Sequence, residues 1–302
     1  LPPIASGDTI AALAFTEPSG KWDAAGIMME ATAEGDHSLL SGEKMFVIDG
    51  NVADVIVVVA RTAGTTGTDG ISFFTVSGNA KGLTRTALST MDMTRKQSKL
   101  EFDKVVAEPL GAPGSGWPAF SKTLDQAAVA LSNEMMGGAQ KVLEMSVEYA
   151  KVRVQFGRPI GSFQAVKHLC AEMAAELEPC RALVWYAAHA ADALPAEAPL
   201  AAAHAKAHLS EVSRFVARSA IEVHGGYGFA DLSGLHFWFK RVGLDRQLLG
   251  GPERIRAVAA AMQGLAASTR RPPADPACMH SIRRCRGTGG NGRTSRRGRP
   301  PY

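Results

Sequence analysis

The sequence predicts an α+β protein, a β-sandwich or barrel domain followed by a four-helix bundle, and three observations carry that prediction. Short runs rich in β-branched and aromatic residues, Val55–Val59, Ile71–Val76 and Lys99–Phe102, are separated by turns bearing Gly, Asp and Asn. No helical pattern lies between them, which excludes a Rossmann βαβ unit. Gly111-Ala-Pro-Gly-Ser-Gly116 then punctuates the chain, and beyond it apolar residues recur with a period near 3.6 rather than 2. The boundaries that follow are 1–113 for the β-domain, 114–266 for the helical domain and 267–302 for a tail. A chain of 302 residues with 46% hydrophobic content is long enough to bury one large core or two smaller ones.

Taken in order, the chain starts at Leu1 rather than Met, which suggests a fragment or a processed product. An apolar strand runs into Phe15-Thr-Glu-Pro-Ser-Gly-Lys-Trp-Asp23, whose Glu-Pro-Ser-Gly is ordinary turn chemistry. Leu40–Gly50 is followed, after Ala53-Asp54, by the strand up to Arg61. Helices are predicted over Pro118–Lys151, Ser162–Ala193, Ala196–Val223 and Leu235–Met262, with Pro179 kinking the second. In the first, Met135, Ala139, Val142, Leu143 and Val147 recur at spacings of three and four and mark its apolar face. Gly157 and Pro159 break the helical pattern, and Ser162 is the expected N-cap of the next run.

Two stretches of the helical half carry candidate binding groups. Arg153, Phe156 and Gln164 present a guanidinium, an aromatic face and an amide at one helix junction, a set that suits an adenine ring and a diphosphate. An ordinary helix hairpin with a surface arginine is the alternative. Ile221-Glu-Val-His-Gly-Gly-Tyr-Gly-Phe229 supplies three glycines in four positions, which lets a phosphate or ring approach backbone amides, or simply caps the helix. His224 has no partner ligand four residues away and reads as loop packing rather than a metal ligand.

The net charge of +4 is misleading, because Arg270–Tyr302 holds nine arginines and one acid, Asp275. Without that segment 24 basic residues face 28 acidic ones, a mildly acidic body that argues against a nucleic-acid surface. The tail is Arg-, Gly- and Pro-rich, and disorder is expected there; an RNA-binding segment and out-of-frame translation are the competing readings. Cys278, His280 and Cys285 lack a fourth zinc ligand at standard spacing. The four cysteines form no disulfide framework, and no run of about 18 apolar residues or secretory leader occurs, so a cytoplasmic, non-membrane location is expected.

The run R-x-x-F-G-x-P-I-x-x-F-Q from Arg153 to Gln164 resembles the C-terminal signature of the FAD-dependent acyl-CoA dehydrogenase family, where the Arg, Phe and Gln contact the FAD of a neighbouring subunit. Thr16-Glu17-Pro18 resembles that family's T-E-P motif, and Leu40–Arg61 its strand pair behind the flavin. The resemblance covers roughly residues 8–265 and implies a set of roles. Thr16 would hydrogen-bond the isoalloxazine and Phe46 would stack on it, while Ile48 stands where a threonine is usual and Trp22 where a small hydroxyl residue is. Gly225 and Gly226 would touch the diphosphate, with Glu222 in place of the usual Gln; Leu124 and Asp125 fall at substrate-binding positions. The family's additional N-terminal helical domain has no counterpart here.

The implied reaction is α,β-dehydrogenation of an acyl-CoA thioester, as in fatty acid β-oxidation, with electrons passing to an electron-transfer flavoprotein. It needs a carboxylate base near Cα. The family's two alternative positions for that glutamate map onto Gly250 and Ala127, and the arginine that supports the second maps onto Ala128. The catalytic base is therefore unassigned, with Glu134, Asp245 and Glu253 as acids that could substitute and solvated charges as the bland alternative for each. The Gly250 amide could still polarise the thioester carbonyl. An active dehydrogenase with a relocated base and a non-catalytic subunit completing the FAD site of a paralogue both follow, with a flavin oxidase as a more distant reading. Either of the first two implies a homo- or hetero-oligomer.

Overall fold

The structure is a computed structural model and describes residues 1–265. The expectations for the tail, its disorder and its Cys278, His280 and Cys285, lie outside the described residues. After a single helical turn, α1 (Pro2–Ser6), seven strands follow: β1 (Ala11–Ala14), β2 (Glu30–Glu34), β3 (His37–Ile48), β4 (Val55–Thr62), β5 (Ile71–Ser77), β6 (Leu83–Ala87) and β7 (Gln97–Leu110). They form one sheet whose pairings run β4-β2-β3-β7-β5 and return to β4, so the sheet closes on itself as a barrel. Strand β1 adds parallel to β4, and β6 antiparallel to β7.

Alternation explains the barrel interior. Leu40 of β3, Ile56, Val58 and Ala60 of β4, Phe74 and Val76 of β5, and Leu100 of β7 fill one core. The opposite face of β4 is also covered: Val59 packs with Phe15, Ile71 and Phe120, which places the first helix of the second half against the barrel. Phe120 meets Phe15 and Phe73 edge to face at centroid distances of 5.1 and 5.5 Å.

The helices are α2 (Trp117–Val152), α3 (Gln164–Ala193), α4 (Ala198–His224), α5 (Leu235–Gln247) and α6 (Pro252–Met262). Met135, Ala139, Val142 and Leu143 of α2 are buried against Met173, Leu177 and Val184 of α3 and Leu209, Val212 and Val216 of α4. Helix α3 runs through Pro179 without ending there. Two local expectations are corrected. The fourth helix is two helices, because Leu248–Gly251 leaves the helical conformation and Pro252, lacking an amide donor, starts a new one. Ser162 is not an N-cap: its hydroxyl donates to the Pro159 carbonyl at 2.7 Å within a 3-10 turn, and α3 begins at Gln164.

Between α2 and α3 the chain makes a two-residue hairpin, β8 (Val154–Gln155) against β9 (Arg158–Pro159). Phe156 and Gly157 form its tip at φ 53° and 75°, the left-handed pair that a tight hairpin turn requires. No described helix is long and apolar enough to cross a membrane.

Candidate functional site

A cavity of about 490 Å³ opens where the barrel, α2 and the α5–α6 connector meet, walled by Thr16, Trp22, Phe46, Ile48, Ala127, Glu134 and Leu249 among others. The barrel wall is held from behind. Glu17 is buried and accepts the Met28 and Met29 amides at 2.9 Å, and Lys44 donates to its carboxylate at 2.7 Å and to the Phe15 carbonyl at 3.4 Å. Burial pulls the Lys44 ammonium down to about 8, with the Glu17 charge opposing that shift. The Thr16 carbonyl accepts the Met45 amide at 2.8 Å, which ties the Thr-Glu-Pro turn to β3. A register shift between Lys44 and Val47 in the β3–β7 ladder bulges the strand there, and Phe46 takes φ 59°. That bulge leaves the Phe46 ring on the cavity wall rather than in the core.

On the helical side a charge cluster backs the cavity. Arg95, in the β6–β7 loop, donates twice to Glu134 of α2 at 2.9 Å and once to Asp245 of α5 at 3.3 Å. Arg241 donates to Asp92 at 2.6 Å and to Glu134 at 2.7 Å. Burial resists ionisation of Glu134, but the hydrogen bonds from Arg95 and Arg241 outweigh it and hold the carboxyl below its usual range. Asp245 goes the other way: burial, then the Glu134 charge, push it up to about 7 against the pull of the two guanidinia. Two of the three acids singled out in the sequence thus share one arginine. The third, Glu253, instead pairs on the surface with Arg246 at 2.6 Å.

The connector closes the remaining side. Leu248 and Leu249 line the cavity, while Gly250 faces an adjoining one of about 390 Å³ with Gly20, Gln97 and Arg254. Trp22, Phe46 and Leu248 are shared by both cavities, while Ala127 lines only the first and Gly250 only the second. The Gly250 amide, a candidate carbonyl polariser, already donates to the Gln247 carbonyl at 3.0 Å. Fully buried Lys206 of α4 donates to Ser210 Oγ, to the Arg246 carbonyl at 3.2 Å and to the Gly250 carbonyl at 3.4 Å.

Arg153, Glu222, Gly225 and Gly226 come together at a separate cavity of about 370 Å³, with Tyr149, His224 and Tyr227. Gly225 sits at φ 59°, and a Cβ on either Gly225 or Gly226 would meet nothing within 4 Å, so this backbone is open to an approaching group. The Gly225 amide is used by the end of α4. His224 is buried, its Nδ1 at 2.8 Å from the Ala220 carbonyl and its ring stacked on Tyr149 at 4.4 Å, and no cluster able to hold a metal occurs among the described residues. Phe156 projects from the hairpin tip with 93% of its surface exposed, and the Gln164 amide lies 3.1 Å from His168. Leu124 packs beside Phe15 and Phe120, whereas Asp125 lines an apolar groove with Trp117, Lys122 and Pro199, where burial raises its carboxyl.

Sequence reasoning missed Glu17–Lys44, Arg95, Arg241 and Lys206. For Lys206 the signal was present: Ala202, Lys206, Leu209, Ser213 and Val216 share one seam at spacings of four and three, and a lysine on a buried seam needs a partner.

The model of the acyl-CoA dehydrogenase middle domain matches residues 12–105, and that of the acyl-CoA dehydrogenase C-terminal domain matches residues 114–264. The chain belongs to the acyl-CoA dehydrogenase family. It is 34% identical over 235 residues to the short-chain-specific acyl-CoA dehydrogenase of Clostridium acetobutylicum, covering 76% of this chain and 62% of that one. It is 35% identical over 234 residues to CarC, a subunit of the caffeyl-CoA reductase-Etf complex of Acetobacterium woodii, with the same coverage. Among solved structures, that of PigA with FAD and proline superposes with a TM-score of 0.81 at 28% identity, covering 87% of this chain and 70% of the other. The chain spans about three fifths of the length of the curated relatives it matches.

A flavin fits the residues of this acyl-CoA dehydrogenase chain in part. The larger cavity offers an aromatic wall and a mostly apolar lining to a planar ring. The Arg153 cavity offers a cation and open glycine backbone to a phosphate, with the Glu222 carboxylate as the one opposing charge.

Proposed function

We propose that the chain is a FAD-dependent acyl-CoA dehydrogenase that removes hydrogen across Cα–Cβ of an acyl-CoA thioester. The observation that carries this reading is the cavity in which Thr16 and Phe46 face the Ala127–Glu134 face of α2. Thr16, Phe46 and Trp22 would hold the flavin ring, and Arg153, Phe156, Gln164, Gly225 and Gly226 of a second subunit would hold the remainder of FAD. The chemistry that FAD supplies when bound is acceptance of a hydride from Cβ. Leu124, one turn beyond Phe120 on α2 and packed against the same aromatic cluster, would border the acyl side. Among the lining residues Glu134 and Asp49 are the carboxylates, and Glu134 is the better placed to take the α-proton because it stands on the rigid helix rather than on a turn.

Two cavities on different parts of one chain support an oligomer in which each FAD is shared, and the likeness to CarC supports an electron-transfer flavoprotein as electron acceptor. A second reading is favoured by one observation, the double hydrogen bonding of Glu134 to Arg95 and Arg241, which makes it a weak base. On that reading the chain is a non-catalytic subunit that completes the FAD site of a paralogue. Anaerobic titration of the FAD-loaded protein with a panel of acyl-CoAs decides between the two. Bleaching of the oxidised flavin by the protein alone supports the dehydrogenase; bleaching only with a co-expressed paralogue carrying a glutamate at either family position supports the second subunit role.

A further inference from the structure

The connector Leu248–Gly251 holds a backbone shape that its residues do not favour. Leu249 has φ 61° and Gly250 φ 103°, and a γ-branched leucine in the left-handed region is strained. Its own hydrogen bonds, Leu248 amide to Leu244 carbonyl at 3.0 Å, Gly250 amide to Gln247 carbonyl at 3.0 Å and Ile255 amide to Gly251 carbonyl at 3.1 Å, tie it to the end of α5 and the start of α6. Nothing in those bonds fixes where the connector lies against α4. Yet the connector lines both cavities, with Leu248 and Leu249 on the one that Ala127 lines and Leu248, Gly250 and Gly251 on the other.

Lys206 supplies the missing tie. Lys206 of α4 has no exposed surface, and two of its three donors reach the Arg246 carbonyl, just before the connector, and the Gly250 carbonyl within it, while the third meets Ser210 Oγ. The Arg246 carbonyl belongs to the last turn of α5, where a cation also meets the negative end of the helix dipole. We propose that Lys206 is a positioning residue, which holds the α5–α6 connector in its strained shape and so sets the wall that Leu248 and Leu249 present to the reacting cavity. The charged groups bearing on it are Asp245, which favours the ammonium, and Arg246, which opposes it; burial is the largest influence and brings the group down to about 8.

For its functional meaning the inference rests on the dehydrogenase reading, but its test does not. Hydrogen–deuterium exchange is followed in the FAD-loaded protein, in wild type and in Lys206→Met, which keeps the length and apolar stem. The expected result is exchange about tenfold faster or more across residues 246–252, since a hydrogen bond to a charged group is worth at least that, while the core amides of Leu209 and Val212 keep their protection. Unchanged exchange in 246–252, or an increase shared equally by α4, α5 and α6, overturns the proposal. Should the variant fail to fold, a wild-type series from pH 7 to 10, corrected for intrinsic exchange, serves instead. Protection of 246–252 is expected to fall past pH 8, and constant protection overturns the assignment. Absence of acyl-CoA oxidation, by contrast, would sink the dehydrogenase reading and leave this result standing.

Discussion

Installing the missing carboxylate at Ala127 tests the catalytic reading most directly. Ala127 is half-buried on α2 and lines the same cavity as Thr16 and Phe46, so a glutamate there enters the site without leaving the helix. The helix tolerates the change, because Glu is nearly as good a helix former as Ala, at a cost of a few tenths of a kcal/mol. Glu134 lies seven residues on, about 10 Å of helical rise. At an effective dielectric near 20, two carboxylates at that distance repel by about 1.6 kcal/mol, close to one unit of pKa. Arg95 on the same wall offsets part of that. The installed group therefore remains a carboxylate at neutral pH and a stronger base than Glu134, which its two guanidinia hold down. General-base catalysis typically contributes about 10²–10⁴-fold, so Ala127→Glu should speed anaerobic flavin reduction by at least about a hundredfold in stopped-flow mixing with an acyl-CoA that the wild type binds. Gly250→Glu should do less: at φ 103°, with its Cβ 3.1 Å from Arg254 Nη1, the side chain is strained and faces the other cavity. An Ala127→Glu protein that folds, binds FAD and acyl-CoA and yet gains nothing refutes the assignment of this cavity as the reaction site.

Glu134→Gln should abolish any reduction shown by the wild type if Glu134 is the substitute base, and leave it unchanged if it is not; the same stopped-flow trace reads both. Asp245 has a folded pKa of about 7 against an ordinary 3.8, so the folded state binds the extra proton and stability should fall as pH rises from about 4 to 7; Asp245→Asn should flatten that slope in urea melts. Removing one partner of the buried Glu17–Lys44 pair, as in Glu17→Gln, should cost about 3–5 kcal/mol, seen as a lower denaturation midpoint, because it strands a buried ammonium. Co-expression of Phe46→Ala with Arg153→Ala should restore FAD binding to part of the assembly where neither variant alone retains it, measured as flavin per chain; no restoration would argue that one chain builds its own whole site.

The strands were readable wherever one face is buried: Ile56, Val58 and Ala60 alternate inward along β4, and Leu40 and Phe74 point inward on β3 and β5. Closure into a barrel was not, since the pairing of β7 with both β3 and β5 joins residues far apart in sequence and leaves no local mark. The split of the last helix was legible and missed: Gly250-Gly251-Pro252 is a breaker followed by a helix starter, but Leu244, Leu248 and Ile255 kept an apolar rhythm across it. Ser162 failed as a cap because the chain inserted a 3-10 turn between the hairpin and α3, and the hydroxyl found the Pro159 carbonyl first. The charge cluster was invisible because Arg95, Glu134 and Arg241 come from three elements, and no spacing rule links them.

The two halves of the cavity wall solve the same problem in the same way. Phe46 from the barrel and Leu249 from the connector are both non-glycine residues at positive φ, 59° and 61°, and both line the site. Each such residue costs of order 1–3 kcal/mol, and persists only where the surroundings over-determine it. Behind each stands a fully buried lysine that bonds backbone carbonyls: Lys44 the Phe15 carbonyl just before Thr16, Lys206 the Arg246 and Gly250 carbonyls around Leu249. A buried ammonium is itself costly and is kept only where its donors are satisfied. Both lysines are drawn down to about 8 by that burial, so the two walls share one sensitivity. Since the unfolded lysines titrate near 10.5, the folded chain gains stability as pH rises from about 8 to 10.5, because it gives up a burial penalty that the unfolded chain never had. Over the same interval the carbonyls of the strained segments lose their charged partners. Global stability and local order at the cavity should therefore move in opposite directions above pH 8, which a denaturant midpoint and exchange at residues 246–252, measured on one sample series, would separate.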